Sequence, residues 1–248
     1  MLDDRRGCTR ARLAGATLFC VALAAAASTA RVVGAQLPGL PAAQSAFPAP
    51  GLAVALNAGH GDGRTVPALA AATGVRRLQL TAAAGLPRAL AGYERSGISA
   101  GARLAARLFR TPRLGVSAFG GYGAERMRSG LPIAAPGSGT AAVSQPTGRF
   151  TQIPVGISAG LRGLVGDRPY AVSIAPMYAY SRWTVVDTAR TRSGARVAAL
   201  AEVAATPSIG VGASVEIGSG GPLGSPYAGR RTVFGVGLSY AIHRVVAR

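Results

Sequence analysis

Apolar side chains alternate with small or polar ones, two residues at a time, along most of this chain. Ile153, Val155, Ile157, Ala159 and Leu161 alternate with Gln152, Pro154, Gly156, Ser158, Gly160 and Arg162. Phe234, Val236, Leu238, Tyr240 and Ile242 do so against Gly235, Gly237, Ser239, Ala241 and His243. Ile209, Val211, Ala213, Val215 and Ile217 repeat the pattern, as do Tyr170, Val172, Ile174, Tyr178 and Tyr180. A β-strand turns successive side chains to opposite faces, so each segment carries one apolar face and one small, polar face. The pattern predicts ten strands, near residues 51–58, 65–73, 77–85, 97–109, 113–126, 150–163, 169–184, 195–205, 208–217 and 231–244. Short turns fall near 74–76, 110–112, 165–168 and 206–207, and longer loops near 59–64, 86–96, 127–149, 185–194 and 218–230. The two kinds strictly alternate, which leaves both ends of the strand region at the short-turn end. Merging or losing the first pair would give eight strands. Residues 195–205, ARVAALAEVAA, would also suit a helix, and residues 66–73, VPALAAAT, are ambiguous.

The pattern starts only after residue 50. Arg5, Arg6, Arg10 and Arg12 precede an apolar stretch over residues 13–28, and Val33-Gly34-Ala35 offers small residues to a signal peptidase. Residues 1–35 therefore read as a secretory signal cleaved after Ala35, with Ala30 as the alternative and an uncleaved anchor as a third reading. Residues 36–50, QLPGLPAAQSAFPAP, form a proline-rich extended leader, and residues 51–248 the strand domain. Both cysteines, Cys8 and Cys20, lie in the signal, so the exported part carries no thiol. Bulky Phe19 before Cys20 argues against lipid attachment there.

Composition narrows the classes further. An apolar fraction of 49% excludes a disordered chain, and the 35 glycines follow no three-residue period, which excludes collagen. Beyond the signal no apolar run is long enough for a membrane-spanning helix. All 27 basic residues are arginine, against nine acids, for a net charge of +18.

A signal, no exported cysteine, an even strand count and alternating short and long connections together resemble the bacterial outer-membrane β-barrel proteins. The resemblance implies an all-β fold: an antiparallel up-and-down transmembrane barrel of about ten strands, or eight, in the bacterial outer membrane. It also implies delivery by the barrel-insertion machinery, contact with outer-membrane lipid, and a monomer. An aromatic girdle would comprise Tyr122, Tyr170, Tyr178, Tyr180, Trp183, Phe234 and Tyr240. The chain departs from the family in ending on Val245, Val246, Ala247 and Arg248 instead of an aromatic residue, and in being strongly basic.

On this strand register the inward charges are Arg77, Arg103, Arg107, Arg162, Glu125 and Glu216. Buried charges need partners, so arginine–glutamate pairs should fill the lumen; a basic constriction passing anions is the competing reading. Arginines assigned to turns and loops (Arg64, Arg88, Arg95, Arg126, Arg128, Arg149, Arg190, Arg192, Arg230 and Arg231) could pair with lipid phosphates or simply be solvated. Nucleic acid is not an expected partner, since no binding module is present. Chemistry is thin. His60 and Asp62 in GHGDG lack a second acid–histidine pair, and GSGG at 218–221 lacks the lysine of a phosphate loop. No catalytic residue, metal site or cofactor is expected. The function implied is a structural, adhesive or narrow-channel role. The alternative is a soluble exported barrel or sandwich, periplasmic or secreted, holding an apolar ligand inside. Which face of the strands points inward decides between them.

Overall fold

The computed structural model describes residues 37–61 except Gly39, together with 64–89, 94–129, 147–185, 188–219 and 231–242. The signal, the end of the chain and Asp62 lie outside the described residues.

The elements are β1 (Gly51–Gly61), β2 (Arg64–Val75), β3 (Leu78–Gly85), β4 (Arg88–Ala89), β5 (Glu94–Arg110), β6 (Leu114–Ser129), β7 (Thr147–Val165), β8 (Arg168–Val185), β9 (Thr188–Ala204), β10 (Ile209–Gly218) and β11 (Arg231–Ile242). Every neighbouring pair is antiparallel. β1 pairs with β2 on one side and β11 on the other, from Leu52↔Ile242 to Gly61↔Val233, so the sheet closes on itself. β3 and β4 are one stave interrupted at Leu86-Pro87, where proline has no N–H to give the ladder. Leu86 N still donates to Pro67 O at 3.0 Å, and β4 continues on β2 through Arg64↔Ala89. The barrel thus has ten staves. Both segments that were ambiguous in sequence, 66–73 and 195–205, are strands, because closure recruits every backbone polar group into the ladder.

The apolar face is the outer one. Leu56, Leu69, Val155 and Val236 are each about 60% exposed, and Tyr178, Phe234 and Tyr240 stand among them. Alanine, serine and glycine face inward, including Ala55, Ala70, Ala105, Ala198, Ser117, Ser158 and Ser173. This excludes a soluble barrel with an apolar interior, whose large side chains would point the other way.

The structure shortens two of the expected loops. β1 and β2 are joined by residues 62–63 and β8 and β9 by residues 186–187, where loops had been expected over 59–64 and 185–194. For the second loop the reason is length: at 18 and 17 residues, β8 and β9 rise roughly 40 Å, beyond the ~25 Å lipid-facing band. Past that band apolar alternation is no longer required, but the hydrogen-bond ladder continues. The polar run Thr188–Ala189–Arg190–Thr191–Arg192–Ser193 is therefore strand.

The proline-rich leader occupies the barrel. Leu37, Pro38, Leu40, Ala42, Ala43, Gln44, Ala46 and Phe47 are all buried, although they precede the first strand.

A charge placed on the outer wall should be costly. Val155→Arg, mid-height on β7, is expected to lose roughly 2–4 kcal/mol of folding stability in lipid vesicles, read by urea titration. The same substitution at Thr65, near the end of β2, should cost at most about 1 kcal/mol.

Candidate functional site

The lumen is where the unusual chemistry collects, and the leader lies along its axis. A turn closed by Leu40 N donating to Leu37 O (3.1 Å) starts the described segment. Five different staves then hold it. Ala42 N donates to Glu216 Oε2 at 2.6 Å from β10, and Ala46 N to Ser173 Oγ at 3.1 Å from β8. Arg103 on β5 donates to Ala43 O at 2.8 Å, Ser117 on β6 to Ser45 O at 3.3 Å, and Ser158 on β7 to Gln44 O at 2.6 Å. At the short-turn end the Arg162 guanidinium sits 5.3 Å above the Phe47 ring.

Small wall residues make the room. A Cβ at Gly115 would lie 2.6 Å from the Phe47 ring, and one at Gly235 would lie 2.8 Å from Pro41. Inward glycine and serine are thus steric and hydrogen-bonding partners of a specific chain segment. An unpaired backbone amide or carbonyl in a dry lumen is expensive, so the serine hydroxyls and the Arg103 and Glu216 side chains take the place of solvent for the leader.

Two ion pairs flank it. Arg64 Nη1 meets both oxygens of Glu125, at 2.8 and 3.0 Å, bridging from β2 to β6 across the lumen. Arg196 Nη1 meets Glu216 Oε1 at 3.1 Å, while its other nitrogens donate to Ser219 O (2.9 Å) and Ser181 Oγ (3.3 Å). Glu216 therefore serves both Arg196 and the leader amide of Ala42. Arg103, only 3% exposed, interacts electrostatically with buried Glu202 on β9.

Among the residues expected in the lumen, Arg103, Glu125 and Glu216 are there, and Arg162 lines its short-turn mouth. Arg107 sits at that same end, donating to Arg76 O at 3.2 Å. Arg77 does not join them: it is exposed in the β2–β3 turn, one residue outside the strand that would have carried it inward. Arg64, Arg196 and Glu202 were missed. Arg64 had been read as a loop residue, and residues 195–205 were ambiguous, although Arg196, Ala198, Leu200 and Glu202 share one parity.

Of the expected girdle, Tyr122, Tyr178, Tyr180, Phe234 and Tyr240 are exposed on the outer wall, and Tyr170 is half-buried at the short-turn end. Trp183 is on the inner side, its ring 6.0 Å from that of buried Phe150, its cross-strand partner. Its odd number in β8 already separated it from Tyr178 and Tyr180. His60 faces outward, with Nδ1 3.0 Å from Thr65 Oγ1. Among the described residues no cluster of histidine, cysteine or carboxylate side chains could hold a metal ion.

No protein-family model matches the sequence, and no curated protein matches it. Solved structures similar to the chain are of low identity. The translocator domain of the autotransporter NalP from Neisseria meningitidis is 11% identical, with 94% of this chain and 98% of that one covered at a TM-score of 0.45. The outer membrane protease OmpT from Escherichia coli is 9% identical, covering 78% and 94% at 0.39. The N-terminal β-barrel domain of Pseudomonas aeruginosa OprF is 10% identical, covering 76% and 96% at 0.34. An apolar outer wall, a closed ladder and an interior of paired charges define the class on physical grounds: this is a β-barrel of the bacterial outer-membrane type. Its exposed apolar wall suits it to a bilayer.

The Arg196–Glu216 pair gives a direct test. Glu216→Ala, which strands a buried guanidinium and a leader amide, should cost about 3–5 kcal/mol in urea unfolding. The double variant Arg196→Met/Glu216→Leu, which removes both charges, should cost markedly less.

Proposed function

We propose that this protein is a sealed outer-membrane barrel with a structural or adhesive role, performing no catalysis and passing no solute. The observation that carries the reading is the leader itself, which runs along the lumen axis and is hydrogen-bonded by β5, β6, β7, β8 and β10. A channel of ten staves has a narrow interior to begin with. Here its cross-section is taken up by Leu40, Ala42, Ala43, Ala46 and Phe47 and by the ion pairs beside them. The arginines that a basic constriction would use are turned to leader carbonyls and to glutamates, so they are not offered to a passing anion.

Such a barrel acts through what it presents at its ends and on its wall. The connections after β6 and β10, residues 130–146 and 219–230, are long, and both leave the same end. Outer-membrane barrels keep their short turns on the periplasmic side, which assigns the long connections to the cell exterior. Barrel-insertion machinery would deliver the chain, and an adhesive partner would meet those connections. The outward His60, hydrogen-bonded to a threonine hydroxyl, suits a rim position better than an acid–base role.

Planar-bilayer recording tests the seal. The intact protein is expected to be silent, and a variant lacking residues 37–48 to show steady conductance. Gly115→Leu, which clashes with the seated Phe47 ring, should produce partial or flickering openings without removing any chain. Steady conductance by the intact protein would overturn the reading.

A further inference from the structure

Three arginines stand on the outer wall of adjacent staves, on the lipid side, near the long-connection end. Arg126 on β6 and Arg149 on β7 are cross-strand partners, and both are exposed. Arg182 on β8 is exposed too, and its partner on β7 is Thr151, two residues from Arg149 on the same face. On neighbouring strands such positions are within reach of long side chains. Arg149 Nη2 donates to the Tyr122 hydroxyl at 3.1 Å.

The position matters as much as the charge. Tyr180 pairs with Ile153, and Tyr122 lies beside that level, next to the Gly123↔Gln152 pair; all three side chains are outward and exposed. One step further from the bilayer centre come Ala124, Thr151 and Arg182, and one step beyond those Arg126, Arg149 and Thr184. The arginines therefore begin immediately past the tyrosines, at the depth where lipid headgroups meet the aromatic belt. Arg126 and Arg149 border a recess of about 570 Å³ whose lining also includes Ile98, Ala100, Ala124, Thr184 and Glu125, the last turned inward to Arg64.

Like charges facing each other across a ladder repel, a cost that folding does not need here. Both ion pairs among the described residues run inward, to Glu125 and Glu216, so neither relieves this cluster. An anion of high charge density, held by several planar guanidinium forks, would relieve it. On a lipid-facing wall the anion that arrives already positioned is the phosphate of a lipid headgroup, with its acyl chains lying along Ile153 and Val155. We propose that Arg126, Arg149 and Arg182, with the Tyr122 hydroxyl, form a binding site for a phosphate-bearing lipid of the outer leaflet. The inference rests on the barrel sitting in the outer membrane and is independent of whether the lumen is sealed.

The test compares R126Q/R149Q/R182Q with a control, R77Q/R113Q/R168Q, which removes the same charge at the opposite, short-turn end. Detergent-solubilised protein is titrated with diphosphorylated lipid A and, separately, with inorganic phosphate. Bound lipid is counted by native mass spectrometry, and heat-dependent gel mobility checks the barrel. Intact protein and control should bind lipid A at saturating stoichiometry, and the wall variant should bind it roughly tenfold more weakly or worse. Inorganic phosphate should not compete at millimolar concentration. Equal binding by the two variants would overturn the proposal, as would phosphate competing as well as lipid. A wall variant that keeps its mobility shift locates any loss in the site; loss of the shift in every form, intact protein included, would instead remove the membrane barrel beneath it.

Discussion

A bilayer offers no hydrogen bonds, and that single constraint organises this molecule. Every backbone N–H and C=O at membrane depth must find a partner in the chain, so the sheet has to meet itself, and the seam between β1 and β11 is where it does. The seam is built mostly from small or β-branched residues: Ala53 against Ala241, Ala55 against Ser239, Gly59 against Gly235. Once closure is required, the two faces of each strand have only two destinations. Large aliphatic and tyrosine side chains go to lipid, and whatever remains must fill a narrow tube.

What remains is mostly glycine, alanine and serine, with a few larger side chains such as Phe119, Phe150, Met177 and Leu200, too little to fill it alone. A lumen lined this way would be left open to water or poorly packed. The leader solves the problem from outside the strand pattern. Its own side chains are small, and proline removes N–H groups that would otherwise need partners at Pro38 and Pro41. Five of its remaining backbone atoms are met by the wall, three by Ser117, Ser158 and Ser173 and two by Arg103 and Glu216. The buried charges then become intelligible as a set, because Glu216 and Arg103 each hold the leader as well as facing an opposite charge.

The strand-level architecture was legible because alternation is a direct imprint of lipid on one side and a packed lumen on the other. Residues 153, 155 and 157, or 234, 236 and 238, could hardly be read otherwise. Legibility failed where that imprint stops. Above the bilayer β9 continues through arginine and threonine with no apolar face, so its true length was invisible. Alanine-rich β9 carries Arg196 and Glu202 six residues apart, a spacing compatible with helix or strand, and only the closed ladder decides. The leader left no imprint at all. Its hydrogen bonds to the wall run through carbonyls and amides, which every sequence has, and its proline content reads equally well as a linker in water. The outward arginines were visible as charges, but their alignment on three staves exists only in the register.

The leader's place in the chain carries a consequence for assembly. It precedes β1, yet it is enclosed by strands up to β10, and the tube is completed by β11, some 180 residues downstream. A filler that comes first and is walled in last must be held near the growing sheet while the staves are laid down around it, or be threaded in through a mouth afterwards. The first route makes the leader a mandrel on which the barrel is wound, its contacts with β5 to β8 selecting the inward face before the seam exists. Long sequence separation at the seam makes closure slow. A core segment already seated would bias the open sheet toward the one curvature that can shut.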